Sequence, residues 1–381
     1  MGVRIDNLAP RAAPAPTACL PSRADPVVRR IAREWRRLTA RRSLRRTPDA
    51  DRRTLLGVSG GADSTAMLLA LVAAAGRRSD AIAGVAHVLH DLRPPDEARA
   101  DRDAVRALAG ALSLPYHEQR ITTADCPDNP EATARRARYR ALAHLAAEAG
   151  CPFVATAHHA DDQLESILMA LLRGAGPDGL RGIAPRRRIQ SAGLETGVTL
   201  IRPCLGITHE EAVDLCRRSG VVWREDGTNA DTTRLRAALR HGPLADIALL
   251  RPGAPRRAAR TARLMRDAAG LVHDRARDVF ADDLTWHRDA LRRERAIVLG
   301  AGLRAAALRL TEGRHADELT GRTVDPAIRA IRDDSTEPRR FNWPGAITLT
   351  VTAFSVSIVK DRAQESSPPD FRRTRGGRTY A

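Results

Sequence analysis

The segment Thr54–Val58, followed at once by Ser59-Gly60-Gly61-Ala62-Asp63-Ser64, constrains this chain more than any other. The first five residues read as an apolar strand, and an apolar helical stretch, Ser64–Ala75, begins where the string ends. A strand, a glycine turn and a helix start, in that order, make an anion site. The first-turn N–H groups have no helical acceptor, and the helix dipole favours negative charge. Gly60 and Gly61 let the backbone bend and approach a phosphate without a Cβ clash. Ser59, Ser64 and Thr65 add hydroxyl donors. Asp63 would be repelled by phosphate, so it is expected either to hold Mg²⁺ or to orient the loop. An ordinary βα turn with a serine cap does not account for paired glycines flanked by Ser and Asp-Ser.

Around this segment the pattern alternates. Strand candidates are Thr54–Val58, Ile82–Val88, Tyr116–Ile121 and Phe153–Ala157. Helical stretches fall near Ser64–Ala75, Asp96–Leu112, Pro130–Ala149 and Asp161–Arg173. This is the signature of an α/β fold with a parallel sheet and covering helices. Residues 1 to about 25 read as a disordered arm. Residues 26–46 read as a basic helix with Val28, Ile31, Trp35 and Leu38 at helical spacing, which either contacts RNA or lies on the next domain. Arg186–Thr199 reads as a turn-rich hairpin, and Thr208 caps a helix reaching Ser219. A break at Arg251-Pro252-Gly253-Ala254-Pro255 reads as a linker, helices dominate to about Arg332, and Asn342–Val359 alternates like a β-hairpin around Pro344-Gly345. The expected division is 1–50 (arm and basic helix), 51–250 (catalytic domain), 251–363 (mainly helical domain with a C-terminal β-hairpin) and 364–381 (disordered tail).

Composition removes several alternatives. Lys360 is the only lysine, so neither a Walker-A loop nor a Schiff-base nucleophile is available elsewhere. No two of Cys19, Cys126, Cys151, Cys204 and Cys216 have Cys-x-x-Cys spacing, which argues against structural zinc and a dithiol redox motif and suits a reducing cytosol. No run approaches the ~20 apolar residues of a membrane span, so a cytoplasmic location without a membrane partner is expected. A net charge of +17 favours a polyanionic partner, although an arginine-preferring genome gives the same excess. Aromatics are 3%, too few for an aromatic stacking platform as the main binding mode.

Four further segments, with shorter pieces after them, carry a resemblance. Ala86-His87-Val88-Leu89-His90-Asp91-Leu92-Arg93-Pro94 ends the second strand, at the edge where open α/β sheets bind ligands. Glu131, Arg135 and Arg138 share a helix face before Tyr139, and taken alone they read as a solvated salt-bridge stripe. Thr156-Ala157-His158-His159-Ala160-Asp161-Asp162-Gln163-Leu164-Glu165-Ser166 joins the fourth strand to the next helix. Asp162 and Glu165, three apart there, can hold Mg²⁺ or an ammonium group, and the paired histidines with acids also suggest a metal site. A glycine-rich loop runs from Arg173-Gly174-Ala175-Gly176 to Gly179-Leu180-Arg181-Gly182-Ile183. Ile201-Arg202-Pro203, the block Trp223–Asp231 and the pair Arg236 and Arg240 follow.

The string Ser59–Ser64 resembles the PP-loop of the N-type ATP pyrophosphatases, which cleave ATP between the α- and β-phosphates and transfer AMP to a carbonyl oxygen. The later segments, in this order, are similar to those of the tRNA(Ile)-lysidine synthetases over about residues 54–250. The chain departs from that pattern where Asp91 replaces a glycine and Ala237 an asparagine. The resemblance implies a PP-loop (adenine nucleotide alpha hydrolase-like) domain, ATP and Mg²⁺ as cofactors, and L-lysine and a tRNA(Ile) with a CAU anticodon as partners, in a monomer or homodimer. It implies a nucleotide site at Ser59, Gly60, Gly61, Ala62, Asp63 and Ser64, and catalytic roles for Asp63, Arg138, Asp162 and Glu165. It implies substrate contacts from His90, Arg93, Arg135, Arg138, His158, Asp162, Glu165, Arg173, Gly174, Arg202, Arg236 and Arg240, and a metal at Asp63 and Asp162. A thiolase of the same superfamily would need paired sulfur-carrying cysteines. A non-catalytic RNA-binding protein would have no need of an intact Ser59, Asp63 and Ser64.

Overall fold

Short apolar runs that are buried on both faces pair best as neighbouring parallel strands covered by helices. In the computed structural model, which describes residues 19–41, 47–76, 79–91, 94–122, 130–191, 194–224, 238–239, 242–281, 283–316 and 318–361, the runs do so. Strands β1 (Thr54–Gly57), β2 (Ile82–His90), β3 (Tyr116–Ile121), β4 (Phe153–Ala155), β5 (Arg186–Ser191) and β6 (Leu194–Ile201) form one sheet in the order β3-β2-β1-β4-β6-β5. All neighbours are parallel except the edge hairpin β5–β6. Leu56 of β1 lies opposite Val85 on one side and Ala155 on the other.

The order reverses between β1 and β4, because β2 and β3 add to one side of β1 while β4 and β6 add to the other. In open α/β sheets the crevice at such a reversal, beyond the carboxyl ends of the strands, is where ligands bind. The strings following β1 and β4 are therefore brought side by side.

One face of the sheet is covered by α1 (Pro26–Leu38), α2 (Ala62–Ala75), α3 (Pro95–Ala111) and α7 (His209–Arg218), whose apolar residues share a core with Leu56 and Val85. The other face is covered by α4 (Pro130–Glu148), through Tyr139, Leu142, Leu145 and Ala146 packed with Leu55, Val154 and Leu200. Helix α1 lies on the domain: Val28, Ile31, Trp35 and Leu38 are buried, and the Trp35 indole donates to Thr54 Oγ1 at 3.0 Å. Burial of such side chains contributes about 1.5–3 kcal/mol each. It is therefore part of the first of two compact units, Met1–Met265 and Arg266–Ala381.

Helices α5 (Ala160–Leu172), α6 (Pro177–Leu180) and α8 (Pro243–Leu250) also lie within the first unit. The linker expected near residues 251–255 is only a short turn. Ala254 already starts the 27-residue helix α9 (Ala254–Phe280), with Pro255 in its first turn, where a missing N–H costs nothing. The division between the units falls within α9.

In the second unit, β7 (Thr285–His287), α10 (Arg288–Arg292), α11 (Ala296–Leu310), α12 (Gly321–Arg332), β8 (Arg339–Trp343), β9 (Ile347–Val351) and β10 (Ser355–Lys360) enclose their own core. The hairpin expected around Pro344-Gly345 is β8–β9. It is extended to an antiparallel sheet, β7-β10-β9-β8, because Val356 and Ile358 continue the buried alternation. Arg288 is the buried clamp of this unit. Its guanidinium donates to the carbonyls of Ala330, Ile331, Asp333, Ser335 and Thr352.

Candidate active site

The loop after β1 is built around its own hydroxyls. Ser59 N–H donates to Ser64 Oγ at 3.2 Å, Ser64 Oγ donates to the Gly61 carbonyl at 3.0 Å, and the two hydroxyls lie 3.2 Å apart. Gly60 has φ +96°, a conformation that side-chain-bearing residues rarely adopt. Gly61 caps α2 in an extended conformation, without a side chain to accept from the first-turn amides. Those amides thus face the switch point with no cap. The loop is tied from outside by Arg224, whose N–H donates to the Gly60 carbonyl at 3.0 Å and whose Nε donates to buried Asp101 at 3.1 Å.

Asp63, in the first turn of α2, meets two histidines. His209 Nδ1 lies 2.9 Å from Asp63 Oδ1, and His159 Nε2 lies 3.5 Å from Asp63 Oδ2. His159 is the N-cap of α5, and its own N–H donates to Asp162 Oδ2 at 3.0 Å. Its Nδ1 is bound to Asp161 Oδ2 at 3.1 Å. Burial would lower the His159 pKa, but the Asp161 hydrogen bond and the charges of Asp162 and Asp63 outweigh it and raise the group to about 9. The Asp63 hydrogen bond likewise raises His209.

The expected Mg²⁺ pair, Asp63 and Asp162, flanks His159. His159 Nε2 lies 3.5 Å from an oxygen of each. Glu165 follows Asp162 by three residues on α5 and is buried, with 2% exposure.

Beside this cluster, Tyr139 is ringed by arginines. The guanidinium carbons of Arg187, Arg135, Arg138 and Arg202 lie 5.2, 5.7, 5.8 and 5.9 Å from its ring centre. Burial would raise the Tyr139 pKa, but Arg202 and Arg135 outweigh it and the net shift is downward. Arg135, Arg173, Arg187 and Arg202 line a cavity of about 310 Å³ together with Ser166 and Met169. The positive charge of that cavity suits a phosphate or carboxylate. A larger cavity, about 520 Å³, lies at the far end of α2 against Arg29, Arg33 and Ala74, away from the loop.

Two of the expected substrate contacts, Arg202 and His158, are also tied by hydrogen bonds within the protein. Arg202 is 3% exposed and donates to the Ala184 carbonyl at 2.5 Å, to Tyr139 OH at 3.2 Å and to His158 Nδ1 at 3.3 Å. His158 also meets Thr156 Oγ1 at 3.1 Å. Burial, with Arg202, Arg135 and Arg138 close by, holds its pKa well below the usual imidazole value, so it is neutral. Gln163 pins the glycine-rich loop to α5 by exchanging hydrogen bonds with the Ile183 backbone at 2.8 and 2.9 Å. Gly182, with φ +61°, is required there because a Cβ would sit 2.1 Å from Gln163 Oε1.

Arg138, Arg173 and Gly174 are exposed beside the cavity region, and Arg135 is half-buried. Arg93, Arg236 and Arg240 lie outside the described residues, as does the side chain of His90. Asp101, Arg187 and His209 have site contacts that the sequence did not signal. His209 stands 146 residues from Asp63, and no local spacing announces the pairing.

A model of the PP-loop domain matches residues 30–245. A tRNA(Ile)-lysidine synthase of Salinispora arenicola is 38% identical over 237 residues, covering 62% of this chain and 68% of the relative. The chain belongs to the tRNA(Ile)-lysidine synthase family. The Thermus thermophilus member is 32% identical over 327 residues, 85% of this chain and 60% of that protein. The Ralstonia nicotianae member is 35% identical over 307 residues, 75% of this chain and 62% of its own length. The chain thus spans about three fifths of these longer members of the tRNA(Ile)-lysidine synthase family. Among solved structures, the U34-tRNA thiolase NcsA of Methanococcus maripaludis matches 63% of this chain and 80% of its own at 17% identity and a TM-score of 0.48. Among the described residues, no helix is long and apolar enough to cross a membrane.

Proposed function

We propose that this chain carries out the reaction named by its family: ATP-dependent attachment of free L-lysine to C2 of the wobble cytidine of a tRNA(Ile) with a CAU anticodon. ATP seats its phosphates on the loop Ser59–Ser64. The cytosine C2 carbonyl oxygen attacks the α-phosphate, pyrophosphate leaves, and the lysine amine then displaces AMP. The observation that carries this reading is the uncapped glycine loop at the sheet reversal, beside an arginine-lined cavity, in a chain of this family.

The loop amides and the Ser59 and Ser64 hydroxyls offset charge on the phosphates. Arg138 and Arg135 meet the adenylate phosphate or the substrate carboxylate. Asp162 and Glu165 receive an ammonium of lysine. Mg²⁺ accompanying the nucleotide would offset charge on the leaving pyrophosphate. The +17 charge supports a grip on the tRNA backbone.

A thiolase reading has little support. Among the described residues, Cys151, Cys204 and Cys216 are buried, and burial raises the pKa of each. Such thiols are poor sulfur carriers.

Incubation with ATP, radiolabelled lysine and tRNA(Ile) bearing a CAU anticodon tests the proposal. Label is expected in the RNA, with AMP and pyrophosphate released in equal amounts. Folded protein that transfers no lysine rejects it.

A further inference from the structure

We infer that Asp63, His159 and His209 form a binding site for a borderline divalent metal ion of the Zn²⁺ type. Each residue offers one ligand atom, and the three atoms all lie within 4.8 Å of one another. The separations from the Asp63 oxygens are 2.9 Å for His209 Nδ1 and 3.5 Å for His159 Nε2. Ligands around a tetrahedral ion with bonds of about 2.0 Å stand about 3.3 Å apart. Two ring nitrogens and one carboxylate suit Zn²⁺ or Co²⁺, whereas Mg²⁺ selects oxygen donors.

The ligands are oriented by a second layer. Asp161 Oδ2 holds His159 Nδ1 at 3.1 Å and so turns Nε2 toward Asp63. The same oxygen accepts the backbone N–H of His209 at 2.8 Å and thereby positions the start of α7. A carboxylate on the far nitrogen of a ligating imidazole fixes its tautomer and strengthens it as a donor. Asp162 Oδ2, 3.5 Å from His159 Nε2, adds an oxygen at the rim. Three protein ligands leave positions open on the ion. On the adenylation reading, on which this consequence alone rests, those positions face the phosphates of the bound nucleotide.

The test uses tag-free, full-length protein stripped with a chelator and kept free of nucleotide. Titration with Co²⁺ is followed by visible absorption, and Zn²⁺ is then added. One equivalent of Co²⁺ is expected to develop ligand-field bands that Zn²⁺ abolishes. His209→Ala is expected to lose the bands, and Asp161→Asn to weaken binding about 10- to 100-fold. Thermal unfolding of each variant checks that it is folded; if His209→Ala is not, Asp161→Asn carries the test.

Absence of saturable bands in the wild type, or bands unchanged in a folded variant, overturns the inference and leaves only histidine–aspartate ion pairs. ATP binding is measured separately by calorimetry. Protein that binds Co²⁺ but not ATP loses the adenylation reading alone; protein that binds ATP but not Co²⁺ loses the metal site alone.

Discussion

Replacing Gly61 with alanine separates what the loop does for the fold from what it does for a ligand. Gly61 has φ −73° and ψ 164°, a conformation open to any residue. A Cβ built there comes no closer than 3.7 Å to Ser59 Oγ and 4.0 Å to the Arg224 carbonyl oxygen, which is ordinary contact. Alanine therefore fits, and by narrowing the unfolded ensemble it is expected to be neutral or to stabilise by up to about 1 kcal/mol. Gly60→Ala is the contrast: at φ +96° a Cβ is strained, and a loss of about 1–2 kcal/mol is expected.

The added methyl of Gly61→Ala lies in the space that Ser59 Oγ borders, over the uncapped amides of α2. A triphosphate pushed off two charge-assisted hydrogen bonds, at about 1.5–3 kcal/mol each, loses about 3–6 kcal/mol. That is at least ~100-fold in affinity. The assay is thermal unfolding with and without ATP. At one hundred times Kd, ATP adds about 2.7 kcal/mol to the wild type, whereas the variant is expected to gain almost nothing. An ATP-induced rise equal to that of the wild type would refute the reasoning. So would a large loss of stability without ATP, because the glycine would then be serving the fold.

Three other perturbations test other parts of the structure. His87 is buried on β2, beside the loop strand β1, with Nδ1 2.8 Å from the Val58 carbonyl oxygen, and burial lowers its pKa below 6.5. Below about pH 6.5 the unfolded chain takes a proton that the folded imidazole refuses, so this contribution is intact at higher pH and is lost as pH falls. Urea unfolding at pH 7.5 and 5.5 is expected to reveal a steeper acid loss in the wild type than in His87→Gln, and equal slopes would count against it. Arg288→Met strips a donor from the five carbonyls it serves and is expected to cost about 3–5 kcal/mol in urea unfolding; a change under about 1 kcal/mol contradicts the clamp. Arg187→Ala removes an exposed cation from the cavity and is expected to shallow the salt dependence of tRNA binding by about 0.7 in log–log slope. An unchanged slope takes Arg187 out of the RNA contact.

Much of the fold was legible because its signals are local. Tyr116–Ile121 matches the observed strand, and the other parallel strands differ from the sequence reading by only a few residues. Thr208 caps its helix and forms a capping box with Glu211. What escaped was short or non-local. Strand β7 has three residues, too few for any alternation to register. The Pro–Gly–Pro cluster at residues 252–255 looked like a linker because proline is tolerated both in loops and in a first helical turn.

The candidate site divides in the same way. The glycine loop and the spacing of Asp162 and Glu165 on α5 follow from residues adjacent in the chain, where backbone conformation and helical periodicity operate. Sheet order is a tertiary fact. The reversal between β1 and β4 sets Asp63 against His159, and the packing of α7 on α2 delivers His209 from a distant part of the chain. That assembly decided which charges cancel. His159 came to stand within 3.5 Å of both Asp63 and Asp162, and burial with nearby arginines lowered the pKa of His158. Residue type and spacing determine what chemistry a side chain can offer; its protonation and availability depend on neighbours and solvent exposure, which exist only once the chain has folded.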